Sequence, residues 1–92
     1  MSLLELREQI DAIDREGIVL LRRRIDIAKQ IAQVKKKNRL PILDSEREQS
    51  KKAAIRRLAE EQQLSAPIVE EIFHLVLQYT KQEMQSSCGG EE

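Results

Sequence analysis

The sequence predicts an all-α fold of three helices per protomer, a long first, a short second and a medium third, in an intertwined homodimer. Three observations carry this expectation. Structure breakers are scarce: the 92 residues hold three glycines and two prolines, and Gly89 and Gly90 stand in the tail. Aromatic residues make up 2% of the chain, as Phe73 and Tyr79, which is too few for most all-β designs. Apolar residues of the first third recur at alternating intervals of four and three, the period of a helical seam.

The first helix is predicted over about 3–37. Its seam reads Leu6, Ile10, Ile13, Gly17, Leu20, Arg24, Ile27, Ile31, Val34, broken only by Gly17 and Arg24. A second stripe of Leu3, Ile18, Leu21, Ile25, Ala28 and Ala32 widens the apolar face and implies neighbours on more than one side. Gly17 costs the helix about 1 kcal/mol relative to alanine, so a close helix neighbour or a slight bend is expected there. Ser2-x-x-Glu5 has the spacing of a capping box. Pro41 pushes Leu40 out of the helical region, so the helix should end near Lys37.

The second helix is predicted over 45–62, opened by Ser45-x-x-Glu48 as a second capping box. Its apolar content is modest, which suits a lid over something else. The third is predicted over 66–86, with Ser65 as N-cap and Pro67 in the first turn. Val69, Phe73, Val76 and Thr80 form one row along it, and Thr80 is expected to bond its own i−4 carbonyl. Residues from about 85 to 92 are expected to fray, leaving one helical domain over 1–92.

Length argues for the dimer. Some 35 helical residues span about 52 Å at 1.5 Å each. A compact 92-residue globule has a radius of gyration near ~12 Å, hence a diameter of about 30 Å. The first helix must overhang such a body and expose its seam. Two chains pairing along their long helices would cover it, with two-fold symmetry.

Composition excludes several classes of function. Lys plus Arg and Asp plus Glu both number 16, for zero net charge, so binding of nucleic acid through bulk charge is not expected. No apolar run approaches the ~20 residues of a membrane span, and residues 1–20 do not read as a secretory signal. The single cysteine, Cys88, allows no intrachain disulfide and fits a reducing cytoplasm. With only His74 beside it, no cysteine-based zinc site is expected.

Arg24 on an apolar seam needs an anionic partner. One reading is an intramolecular salt bridge. The other is a ligand carboxylate, gripped by the planar guanidinium through two parallel bonds. Lys35 lies three turns further on the same face, about 16 Å along the axis, so the two side chains could frame a small anion.

The ordered set Leu6-Arg7-x-x-Ile10-Asp11-x-Ile13-Asp14, then Arg24, Lys35, Pro41, Asp44-x-x-Arg47-Glu48, Phe73 and Thr80 resembles the all-helical class of chorismate mutases. The resemblance covers residue 3 to about 85. It implies a three-helix protomer in a domain-swapped-like dimer with two active sites. It also implies the Claisen-type rearrangement of chorismate to prephenate in aromatic amino-acid biosynthesis, with no cofactor, metal or covalent intermediate. By the same resemblance Arg24 binds one substrate carboxylate, and Arg7 binds the other from the partner protomer. Lys35 bonds the ether oxygen, and Glu48 with the backbone near Asp44 holds the ring hydroxyl. Arg47 supports the carboxylate side, and Thr80 takes the place of a family serine near the ring carboxylate. One position departs from the pattern. Eleven residues after Phe73 the family usually has Gln or Glu as a second donor to the ether oxygen, and here Met84 stands there, between Glu83 and Gln85.

Three other readings are open to the sequence. The same scaffold could carry an isochorismate-pyruvate lyase. It could form a non-catalytic helical dimer, binding nucleic acid through Arg22-Arg23-Arg24 and Lys35-Lys36-Lys37, against which Asp26, Glu46 and the zero net charge weigh. It could also serve as a regulatory subunit of a larger enzyme.

Overall fold

The structure, a computed structural model, describes residues 1–89. Three helices follow in chain order: α1 over Leu3–Lys37, α2 over Ser45–Glu61 and α3 over Ala66–Gly89. No strand occurs among the described residues. None of the described helices is long and apolar enough to cross a membrane.

The helix ends follow from local chemistry. Ser2 caps α1, its hydroxyl oxygen accepting from the Glu5 amide at 3.1 Å. At α2 the capping register differs by one residue from the sequence expectation. Asp44 is the N-cap, accepting from the Arg47 amide at 3.0 Å, and Ser45 is the first helical residue. A carboxylate bears charge where the helix dipole is positive, so Asp44 outcompetes the neighbouring serine. Glu48 is thereby released from capping.

The first two helices end alike. The Leu40 amide reaches back to the Lys35 carbonyl at 2.8 Å, and the Leu64 amide to the Ala59 carbonyl at 2.9 Å. Each closure places the intervening residue in the left-handed region, Arg39 at φ 55° and Gln63 at φ 58°. Side chains disfavour that conformation by about 1–2 kcal/mol, and glycine does not. Gln63→Gly should therefore stabilise the fold by about 0.5–1 kcal/mol in urea unfolding. A loss of stability would show that the glutamine side chain makes a contact worth more than the backbone strain.

The third helix runs further than its sequence suggests. Residues 86–89 are helical, and Ser87 is tied to α1 by Gln33, whose side-chain amide donates to the Ser87 hydroxyl at 3.0 Å. This bond between helices lies 54 positions apart in sequence, which is why the segment reads as frayed from composition alone. The tail expected at 90–92 lies outside the described residues.

Packing centres on α3. It lies against both α1 and α2, while α1 and α2 make no packing contact with each other. The buried core is Ile25, Ala28 and Ala32 of α1 with Ile55 and Ala59 of α2. It is rich in alanine, which lets helix axes approach closely. The α1 core residues all belong to the second stripe, not to the heptad seam. Seam residues Leu6, Ile10, Ile13, Leu20, Ile27, Ile31 and Val34 are each 43–63% exposed. Every residue from 1 to 20 is exposed. The chain measures 54 × 25 × 15 Å with a radius of gyration of 16.5 Å, well above the ~12 Å of a compact chain of this length. The close neighbour expected at Gly17 is not found among the described residues, since a Cβ built there would meet none of their atoms within 4 Å.

Candidate active site

Because α1 and α2 diverge over α3, they leave a cleft of about 550 Å³ between them. One wall is the C-terminal half of α1, presenting Arg24, Ile27, Ala28, Ile31 and Lys35. The other is the loop and first turns of α2, with Ile42, Leu43, Asp44, Arg47, Glu48 and Lys51. The floor is α3, through Leu77, Thr80, Lys81 and Met84. Five cations and two carboxylates thus share a cleft with apolar side chains from all three sides, an arrangement that attracts a small anion and partly desolvates it.

Arg24 is held without a carboxylate. Its guanidinium donates to the Thr80 hydroxyl at 3.0 Å, and that hydroxyl donates to the Val76 carbonyl at 2.8 Å. Thr80 therefore makes the i−4 bond expected of it and orients the arginine with its lone pairs. Among the described residues no carboxylate pairs with Arg24, so the intramolecular salt bridge is not formed. The guanidinium keeps donors for a ligand.

Lys35, three turns along the same wall, donates to the Ile42 carbonyl at 3.0 Å. The Schellman closure at Leu40 turns the chain back over the helix end and brings that carbonyl within reach. Asp44 lines the cleft while its Oδ1 caps α2.

Glu48 is the most constrained carboxylate. Lys81 donates to its Oε1 at 3.0 Å, and Lys52, one turn on in α2, lies 3.7 Å from the same oxygen. The Lys81 hydrogen bond and charge, with a smaller contribution from Lys52, hold its carboxyl below the ordinary carboxylate range, against the opposing effect of partial burial. It stays ionised, and an ionised carboxylate is an acceptor only.

Seven of the eight residues singled out in the sequence meet in this cleft: Arg24, Lys35, Asp44, Arg47, Glu48, Thr80 and Met84. Glu83 and Gln85 do not line it, so the helix register presents the thioether and neither polar neighbour. Arg7 is elsewhere, seventeen residues before Arg24 on α1 and about 26 Å away along the axis. Lys81 and Lys51 were not anticipated. Each looks like a solvated helix lysine in sequence, and only the place of Lys81 on α3, four residues after Leu77 and three before Met84, hints otherwise.

A three-helix array with a cationic cleft, whose charged groups are pre-set by neighbouring polar atoms, is suited to holding a small anion by position and charge. Residues 6–85 match the chorismate mutase type II family, and the chain belongs to that family. It is 34% identical over 80 residues to a chorismate mutase of Methanocaldococcus jannaschii, covering 87% of this chain and 81% of that one. It is 38% identical over 71 residues to a T-protein of Haemophilus influenzae, covering 77% of this chain but 19% of the relative. A bifunctional chorismate mutase/prephenate dehydratase of Aquifex aeolicus is 45% identical over 60 residues, covering 65% of this chain and 17% of the relative. The chain thus spans about a fifth of the length of the two larger relatives.

Proposed function

We propose that the chain is a chorismate mutase that rearranges chorismate to prephenate in aromatic amino-acid biosynthesis, working in the cytoplasm as one helical domain over residues 1–92. The observation that carries this is Arg24, oriented by Thr80 and unpaired with any described carboxylate, sharing one cleft with Lys35 and Glu48. The reaction breaks an ether carbon–oxygen bond while a carbon–carbon bond forms within the same molecule. It needs no acid, base or nucleophile. Rate is gained by holding the flexible ether in a reactive chair and by stabilising charge on the departing oxygen.

In this proposal Arg24 takes one carboxylate and Lys35 the ether oxygen. Glu48 with the Asp44 backbone takes the ring hydroxyl, Arg47 supports the carboxylate side, and Thr80 lies near the ring carboxylate. Met84 contributes an apolar wall. Arg7 is too far along α1 to serve its own cleft, and the exposed seam around it is the surface on which a second copy would lie. We therefore assign an intertwined homodimer in which Arg7 completes the partner's site.

Purified chain should consume chorismate, seen as loss of ultraviolet absorbance, and form prephenate. Consumption of isochorismate with release of pyruvate, and none of chorismate, would replace this assignment with the lyase.

A further inference from the structure

Lys81 stands outside the roles the family resemblance carries over, yet it makes the shorter of the two ion pairs to Glu48. Its ammonium donates to Glu48 Oε1 at 3.0 Å across 33 sequence positions, joining α3 to α2. The pair is half-shielded, with side-chain exposures of 39% for Lys81 and 28% for Glu48, so it is less screened than the surface pairs Arg22–Asp26 and Arg56–Glu60. Lys52, one turn on in α2, lies 3.7 Å from the same oxygen. Both cations sit on Oε1, and no described residue bonds Oε2.

We propose that Lys81 is a positioning residue of this site: it anchors Glu48 through Oε1 so that Oε2 is presented as an ionised acceptor to a ring hydroxyl of the substrate. The inference rests on the chorismate mutase assignment. The physics is simple. A carboxylate at the edge of a helix has several rotamers, and only an ionised one accepts from an alcohol without competing as a donor. A hydrogen bond from α3 selects one rotamer, and the positive charge keeps the proton off. Across the cleft Glu48 also faces Arg24 and Lys35 of α1. From its own element it has Asp44, Arg47, Lys51 and Lys52 beside it. Removing Lys81 leaves those others in place, so the change isolates one bond.

The test is the pH profile of kcat/KM for chorismate in wild type, Lys81→Met and Lys81→Arg. Lys81→Met should lose about tenfold at neutral pH, the scale of one part-exposed charge-assisted bond. Its acid limb should move to higher pH, because Glu48 then protonates more easily. The carbon-13 titration of the Glu48 carboxyl should move upward with it. Lys81→Arg should restore most of the activity and return the limb toward that of wild type. Combining Lys81→Met with Glu48→Gln should cost no more than Glu48→Gln alone. An acid limb that stays in place in Lys81→Met, or losses that multiply in the double variant, would overturn the proposal, even where melting shows that the fold has loosened. An inactive wild type would instead remove the mutase assignment, which separates the two failures.

Discussion

Arg24→Ala and Arg7→Ala should each lower kcat/KM for chorismate by ~10²–10³, the loss expected when a positioned charged donor is removed from a preorganised site. For Arg24 the argument is local. Its guanidinium is already oriented by Thr80 and spends no bond on a described carboxylate, so its remaining donors are open to a ligand. For Arg7 the argument is geometric. It lies about 26 Å from Arg24 along one rigid helix, so within its own chain it cannot touch what Arg24 binds. Mixing the two variants separates the models. In a heterodimer one cleft receives both substitutions and the other neither, so half of the wild-type activity per dimer should return. Absence of recovery in verified heterodimers would reject the shared site. Sedimentation should give a dimer at micromolar concentration, since the apolar seam along α1 is left exposed by the other described residues. A well-folded monomer would remove the basis for sharing.

Met84→Gln should act in the opposite direction and raise kcat/KM by up to ~10²–10³, the contribution of one oxyanion-type donor. Charge grows on the ether oxygen as its bond to carbon breaks, and in this chain Lys35 is the cation assigned to it. Met84 lines the cleft but its sulfur donates nothing. Glutamine has similar length and donates at every pH, so the gain should not depend on protonation. Lys35→Ala should cost far more than Glu83→Ala or Gln85→Ala, whose side chains do not line the cleft. No gain in Met84→Gln, with full loss in Gln85→Ala or Glu83→Ala, would mean that the end of α3 turns when substrate binds.

Several features are readable from residue order alone. The α1 and α2 ends lie within a residue of expectation because Pro41, Ser2 and the run of apolar periods act locally. The bond from Thr80 to the Val76 carbonyl is local too, since a threonine inside a helix has few other partners. Arg24 and Lys35 could be placed on one face by counting turns. The cap of α2 falls one residue from the sequence expectation because serine and aspartate are both good caps, and only the extended backbone at Asp44, φ −129° and ψ 98°, decides between them.

The amino-acid sequence by itself determined three helices, their approximate ends, an apolar seam too long for one compact chain, and a set of charges on one face. These depend on neighbours within about four residues, so they are written in the order of the chain. Tertiary structure alone decided which stripe of α1 is buried, that α3 continues through 86–89 against Gln33, and that α1 and α2 stand apart to open a cleft. It also decided that Met84 faces that cleft in place of Glu83 or Gln85, and that Lys81 holds Glu48. Each of these turns on the angle at which helices cross and the rotation of each about its own axis. Contacts between residues tens of positions apart set both, and helical periodicity carries no information about them.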